Sequence, residues 1–159
     1  MIKYKPDTVS VVFSEVPDMV SLAIEITNCP GMCEGCHSPW LREDIGDELT
    51  PTKLYELIEA NKGINCVVFM GEGKDPEALK KLALGTRTKY NNIKVALYSG
   101  RNSVENEYDL YFDYIKVGPY IPSRKALNFK TTNQRLYEIV REGNETKRKD
   151  ITYKFWDKQ

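Results

Sequence analysis

Ser21-Leu22-Ala23-Ile24-Glu25-Ile26-Thr27 alternates in character, with Leu22, Ile24 and Ile26 on one side and Ala23, Glu25 and Thr27 on the other. That period of two predicts a strand whose two faces meet different surroundings. The chain then runs into Asn28-Cys29-Pro30-Gly31-Met32-Cys33-Glu34-Gly35-Cys36-His37, which carries three of its four cysteines. In parallel α/β folds and barrels, ligands gather where strands end at their carboxyl edge, and this loop follows such an end. Three thiols this close in sequence converge on one soft-metal centre more readily than they pair as disulfides. Three thiolate ligands also leave one position of a four-metal cluster open for chemistry.

Working outward, strands alternate with helices. Val9 to Phe13 is a short apolar run ended by Pro17-Asp18. Thr50-Pro51 supplies an N-cap and a first-turn proline for a helix with Leu54, Leu57 and Ile58 on its apolar stripe, ending before Gly63. Cys66 to Met70 is continuously apolar, as in a strand buried on both faces. Asp75-Pro76 opens a second helix, with Leu79, Leu82 and Ala83 facing inward before Gly85. Lys94 to Tyr98 and Phe112 to Val117 read as further strands, ending in Ser99-Gly100 and Gly118-Pro119. A last helix is expected over Asn133 to Arg141, an exposed loop over Gly143 to Asp150 and a terminal strand over Asp150 to Phe155.

This order implies βαβ units in an α/β fold with a mostly parallel sheet. There are too few units for an eight-stranded barrel, so the expected architecture is an open, partial β/α barrel. The 159 residues suit a single domain spanning 1–159. Hydrophobic residues make up 41% and charged residues 29%, the proportions of a globular protein. Lysine plus arginine equals aspartate plus glutamate at 23 each, so charge gives no case for nucleic acid or a membrane surface as partner. With no spanning run and no signal-peptide layout at Met1 to Pro6, the expected compartment is the cytoplasm, where clustered thiols stay reduced.

Four segments share the predicted rim: the cysteine loop, Gly71-Glu72-Gly73, Tyr98-Ser99-Gly100 and Gly118-Pro119. Cys-x3-Cys-x2-Cys after the first strand resembles the signature of the radical S-adenosylmethionine superfamily. The wider pattern, including Thr131-Thr-Asn-Gln-Arg135, is most similar to the activating proteins of anaerobic ribonucleoside-triphosphate reductases. The resemblance implies one 4Fe–4S cluster held by Cys29, Cys33 and Cys36, with S-adenosylmethionine on the fourth iron. It implies reductive cleavage of that cofactor to methionine and a 5'-deoxyadenosyl radical, which takes a hydrogen from a glycine of the reductase large subunit. An electron donor such as a flavodoxin or ferredoxin is implied as well.

By the same resemblance Gly35 and His37 border the S-adenosylmethionine, Gly71 to Gly73 meet its amino group, and Tyr98, Ser99 and Gly100 lie near its methionyl or ribose portion. The family usually has two glycines followed by an acid, whereas here Glu72 stands one place early. A one-residue shift in extended chain turns a side chain to the opposite face, leaving the contact to the backbone of Gly71 and Gly73, with Asp75 as a second carboxylate or a helix cap.

Other readings of the same residues exist. A Cys3His zinc site would include His37, but its adjacency to Cys36 is poor tetrahedral geometry. Activation of another glycyl radical enzyme, or small-molecule radical chemistry, uses the same residues. Cys66 reads as a core thiol. Tyr98 also suits core packing, Gly71 to Gly73 a plain turn, and Asn133-Gln134-Arg135 capping or a surface ion pair.

Overall fold

The computed structural model describes residues 1–27 and 43–156. Cys29, Cys33, Gly35, Cys36 and His37 lie outside the described residues. The strands are β1 (Lys3–Tyr4), β2 (Ser10–Val12), β3 (Ser21–Glu25), β4 (Asp47–Glu48), β5 (Cys66–Met70), β6 (Lys94–Tyr98), β7 (Tyr114–Val117), β8 (Arg135–Glu142) and β9 (Glu145–Asp150). The helices are α1 (Pro51–Ala60) and α2 (Pro76–Lys89). β1 and β4 form a small ribbon, and the other strands form one sheet in the order β2-β3-β5-β6-β7-β8-β9.

The centre of that sheet is parallel, β3 to β5 to β6 to β7, in the order the chain makes them. β2 joins one edge antiparallel, and β8 and β9 extend the other edge antiparallel. The fold is therefore α/β with a mixed sheet, less parallel at its edges than the sequence suggests. Leu54 and Ile58 of α1, with Leu79, Leu82 and Ala83 of α2, share one core with Leu22, Ile24, Val67, Phe69, Val95, Leu97 and Ile115. Both helices thus cover the same face of the sheet. The alternate positions Ala23, Cys66, Val68 and Ala96 pack with Val16 in a smaller cluster on the other face. One further row, Glu25, Met70, Tyr98 and Lys116, lies in register across the four parallel strands at their carboxyl ends.

The helix starts follow the local chemistry. Thr50 accepts a hydrogen bond from the Lys53 amide, and Asp75 accepts one from the Ala78 amide at 3.1 Å, each just before a first-turn proline. α2 does not stop before Gly85 but continues to Lys89. A Cβ at Gly85 would stand 2.5 Å from Tyr55 Oη, so the glycine permits close packing of the two helices.

The expected helix over Asn133 to Arg141 is strand β8. Leu136 and Ile139, three apart, look helical but are buried on opposite faces, and only Ile139 joins the helix-side core. The expected loop from Gly143 to Asp150 is a hairpin turn followed by β9, with Glu142 paired to Glu145. β9 is Glu-Thr-Lys-Arg-Lys-Asp and almost wholly exposed, so it has no apolar period to betray it. Its lysines suit a sheet edge that must not pair further. The expected terminal strand is instead a 3-10 turn over Thr152–Phe155. At the amino end of the sheet, Asp113 accepts the Val95 amide at 2.9 Å and Arg141 at 2.8 Å, while Arg148 binds Asp109 at 2.8 Å. These bonds fasten the hairpin to β6 and to the turn before β7.

The β1–β4 ribbon depends on Gly46, whose φ is +92° and whose added Cβ would lie 2.1 Å from Tyr4 O. Gly63 has a similar φ of +97° with nothing within 4 Å of such a Cβ. Gly63→Ala is expected to cost about 1 kcal/mol from backbone strain alone. Gly46→Ala adds a clash with main chain and should cost at least ~2 kcal/mol more. Urea denaturation of the two variants checks the difference; equal losses would mean that the ribbon yields freely.

Candidate functional site at the carboxyl rim

The carboxyl ends of the parallel strands are knitted beyond their last pairs. The Ile26 amide donates to Met70 O at 3.0 Å, Gly71 to Tyr98 O at 2.9 Å and Ser99 to Lys116 O at 2.8 Å. The cysteine segment leaves this rim at Thr27. There the Thr27 hydroxyl donates to Ile45 O, the Thr27 amide to Lys3 O at 3.0 Å, and Lys3 pairs with Asp44 at 2.8 Å. Residues on both sides of the segment are thus fastened at one point. A cavity of about 250 Å³ opens beside it, lined in part by Thr27, Asp44, Gly73 and Lys74.

Gly71 and Gly73 have φ of +111° and +67°. A Cβ on Gly73 would come within 3.1 Å of both Ile2 and Ile26, and one on Gly71 within 3.3 Å of Ile26 O. These glycines are needed first for the turn to pack against β3 and its extension, whatever a ligand asks of them. Glu72, one place early, is engaged by the protein. Its carboxylate accepts the Ser99 hydroxyl, Arg101 Nε at 2.9 Å, Arg101 Nη2 at 2.8 Å and the Tyr108 hydroxyl at 3.2 Å. The hydrogen bonds that Arg101 donates to the Glu72 and Glu105 carboxylates hold its guanidinium well above its usual pKa, and Arg101 in turn pushes Glu105 down to about 2. Asp75 caps α2 and pairs with the Met1 ammonium.

Ser99 is wholly buried, and every polar group on it is used. Its hydroxyl donates to Glu72 and accepts the Arg101 amide at 3.1 Å, while its carbonyl accepts Lys116 Nζ at 3.2 Å. It is a joint of the rim, tying the turn after β5 to β7. Tyr98 donates its hydroxyl to Glu15 O, pinning the Ser14 to Met19 loop over the face opposite the helices, while Gly100 is exposed. The structure therefore brings Gly71, Glu72, Gly73, Tyr98, Ser99 and Gly100 to one rim. Of the three glycines Gly100 is exposed, Gly71 is half-buried with its amide bonded to Tyr98 O, and Gly73 is buried.

Sequence reading did not single out Lys116, although a lysine at an alternating position inside Phe112 to Val117 was the available signal. Lys116 is 8% exposed and donates to Ser99 O and to Gly118 O at 2.8 Å, 5.7 Å from the Tyr98 ring centre. Gly118 O also receives Gln134 Nε2 at 3.4 Å, and Pro119 O receives Asn133 Nδ2 at 3.0 Å. Asn133 and Gln134 thus act on the rim rather than as helix caps, while Arg135 lies near Asp150 at 3.6 Å as a surface pair. Among the described residues no group of three metal-ligating side chains comes together, so the candidate ligands remain the cysteines outside them. No helix among the described residues is long and apolar enough to cross a membrane. No protein-family model, curated protein or solved structure matches the chain.

Burial pushes the Cys66 thiol up to about 12 from 9.0 and the Tyr114 phenol up to about 12 from 10.0, and raises the Tyr98 phenol as well. The unfolded chain loses these protons at ordinary values while the folded chain keeps them. Stability should therefore fall as pH rises from about 9 towards 12. Urea midpoints across that window check the sign; a rising midpoint would contradict it. At pH 8 Cys66 should resist iodoacetamide in the native protein and react in urea, as read by peptide mass spectrometry.

Proposed function

We propose that this chain is a radical S-adenosylmethionine enzyme, the activating protein that generates a glycyl radical on an anaerobic ribonucleoside-triphosphate reductase. The observation that carries the reading is Cys29-x3-Cys33-x2-Cys36 beginning two residues beyond Thr27, at the rim where β5, β6 and β7 also end. The helices lie on one face and the parallel strands follow chain order, as in an open, partial β/α barrel with its site at the carboxyl mouth. Soft thiolates in a set of three suit iron with one coordination site left over. Cys29, Cys33 and Cys36 would hold a 4Fe–4S cluster, which when bound supplies one-electron reduction of S-adenosylmethionine.

The remaining work falls to this chain's own residues. The Gly71 to Gly73 turn and Gly100 offer main-chain groups to the cofactor, Gly35 and His37 border it, and Glu72 with Ser99 keeps those turns in place. Met70 and Tyr98 give a partly apolar floor, and the Ser14 to Met19 loop closes the sheet face below and limits water entry. The reductase large subunit docks over the rim, and a flavodoxin or ferredoxin supplies the electron.

Anaerobic reconstitution with iron and sulfide tests the reading. Brown protein is expected, with a reduced-state EPR signal perturbed by S-adenosylmethionine and release of 5'-deoxyadenosine. Incubation with the reductase should give a glycyl doublet. Stoichiometric zinc with no retained iron would overturn the assignment and favour a non-catalytic zinc module. Active cleavage without the doublet would move the partner to another glycyl radical enzyme or a small molecule. Cys33→Ala should abolish cleavage, whereas Cys66→Ala should retain it at a cost of roughly 1 kcal/mol in packing.

A further inference from the structure

Three side chains converge on the turn that ends β7. Lys116 Nζ and Gln134 Nε2 both donate to Gly118 O, at 2.8 and 3.4 Å, and Asn133 Nδ2 donates to Pro119 O at 3.0 Å. Gly118 has φ +103°, and a Cβ there would lie 3.0 Å from Gln134 Cα, so the Asn133-Gln134 backbone passes directly against the turn. Thr132 Oγ1 accepts the Gln134 amide at 2.9 Å and fixes the approach of that segment. The same ammonium reaches Ser99 O at 3.2 Å, and Ser99 bonds Glu72. The segment before β8 is thereby joined through Lys116 to the turns after β6 and β5.

We infer that Lys116, Asn133 and Gln134 are positioning residues for the cofactor: they clamp the Gly118-Pro119 turn and, through Ser99, set the placement of the Gly100 and Gly71 to Gly73 main chain. The inference rests on the proposed function, and it gives Asn133 and Gln134 a role beyond the hairpin's own structure. The clamp sits away from the base of the cysteine segment at Thr27, with β5 and β6 between β3 and β7. It therefore bears on cofactor geometry while leaving cluster assembly alone. A misplacement of about 1 Å in a positioning group is enough for a roughly hundredfold loss of productive geometry.

The test uses the full chain with Asn133→Ala, Gln134→Ala, Lys116→Met and Lys116→Arg. In the unloaded proteins, hydrogen exchange at the Ser99 and Gly118 amides should accelerate in Lys116→Met, and circular dichroism should stay native. After reconstitution all four should bind as much iron as the parent and show the parent EPR signal before S-adenosylmethionine is added. The perturbation of that signal should then need about tenfold more S-adenosylmethionine in the two alanine variants and in Lys116→Met, with KM raised more than kcat is lowered. Lys116→Arg, which keeps cationic donors, should recover most of the shift. Parent-like titrations in both alanine variants would overturn the inference while leaving the function standing. Loss of iron from those variants would also overturn it, assigning the residues to folding or cluster retention. Failure of the parent to hold iron would count against the function itself.

Discussion

One line of hydrogen bonds holds the working edge of this sheet together. It runs from the Glu72 carboxylate to the Ser99 hydroxyl, from Ser99 O to Lys116 Nζ, from there to Gly118 O and on to Gln134 Nε2. Together these bonds link the turn after β5 to the turn after β6, then to the end of β7 and to the segment before β8. Parallel strands in a twisted sheet diverge past their last ladder pair, leaving carbonyls with no partner in the ladder. Buried carbonyls without donors would cost about 1–3 kcal/mol each, so the donors must come from side chains. Lys116, inside β7, and Gln134, just before β8, are the residues that reach them.

This constraint explains the division of the sheet into two faces. Facing the helices, Leu22, Ile24, Val67, Phe69, Val95, Leu97 and Ile115 form a continuous apolar layer. The opposite face is built of smaller groups, Ala23, Val68 and Ala96, until the last row, where Glu25, Met70, Tyr98 and Lys116 stand in register. The apolar layer sets the stability and strand order; the last row is where polar chemistry enters. The same alternation that builds the core therefore also sets Tyr98 and Lys116 at the rim, beside the turns that follow β5 and β6.

The parallel centre was legible because its strands are short apolar runs closed by glycine or proline, and both helix starts announce themselves with a capping residue and proline. β8 was not, because two residues three apart, each buried on a different face, mimic a helical spacing. β9 was hidden by its charge, since an exposed edge strand needs no apolar alternation. At the site, the glycine turns were legible as rim segments. Their side-chain partners were not: Glu72 meets Arg101 and Tyr108 only through contacts 29 and 36 residues apart in sequence. The role of Lys116 depends on the Ser99 and Gly118 carbonyls around it, which only the fold brings together.

Consider what the engagement of Glu72 does to recognition at the rim. A carboxylate that already accepts a hydroxyl, a forked guanidinium and a phenol has its lone pairs filled and its charge matched. Pulling it away would leave the buried Ser99 hydroxyl without its acceptor and Arg101 with Glu105 alone. The Glu72 side chain therefore serves to hold the adjacent turns together. Main-chain contacts are only as accurate as the turn that presents them. The bonds of Glu72, Ser99, Lys116 and Gln134 brace those turns from strand to strand.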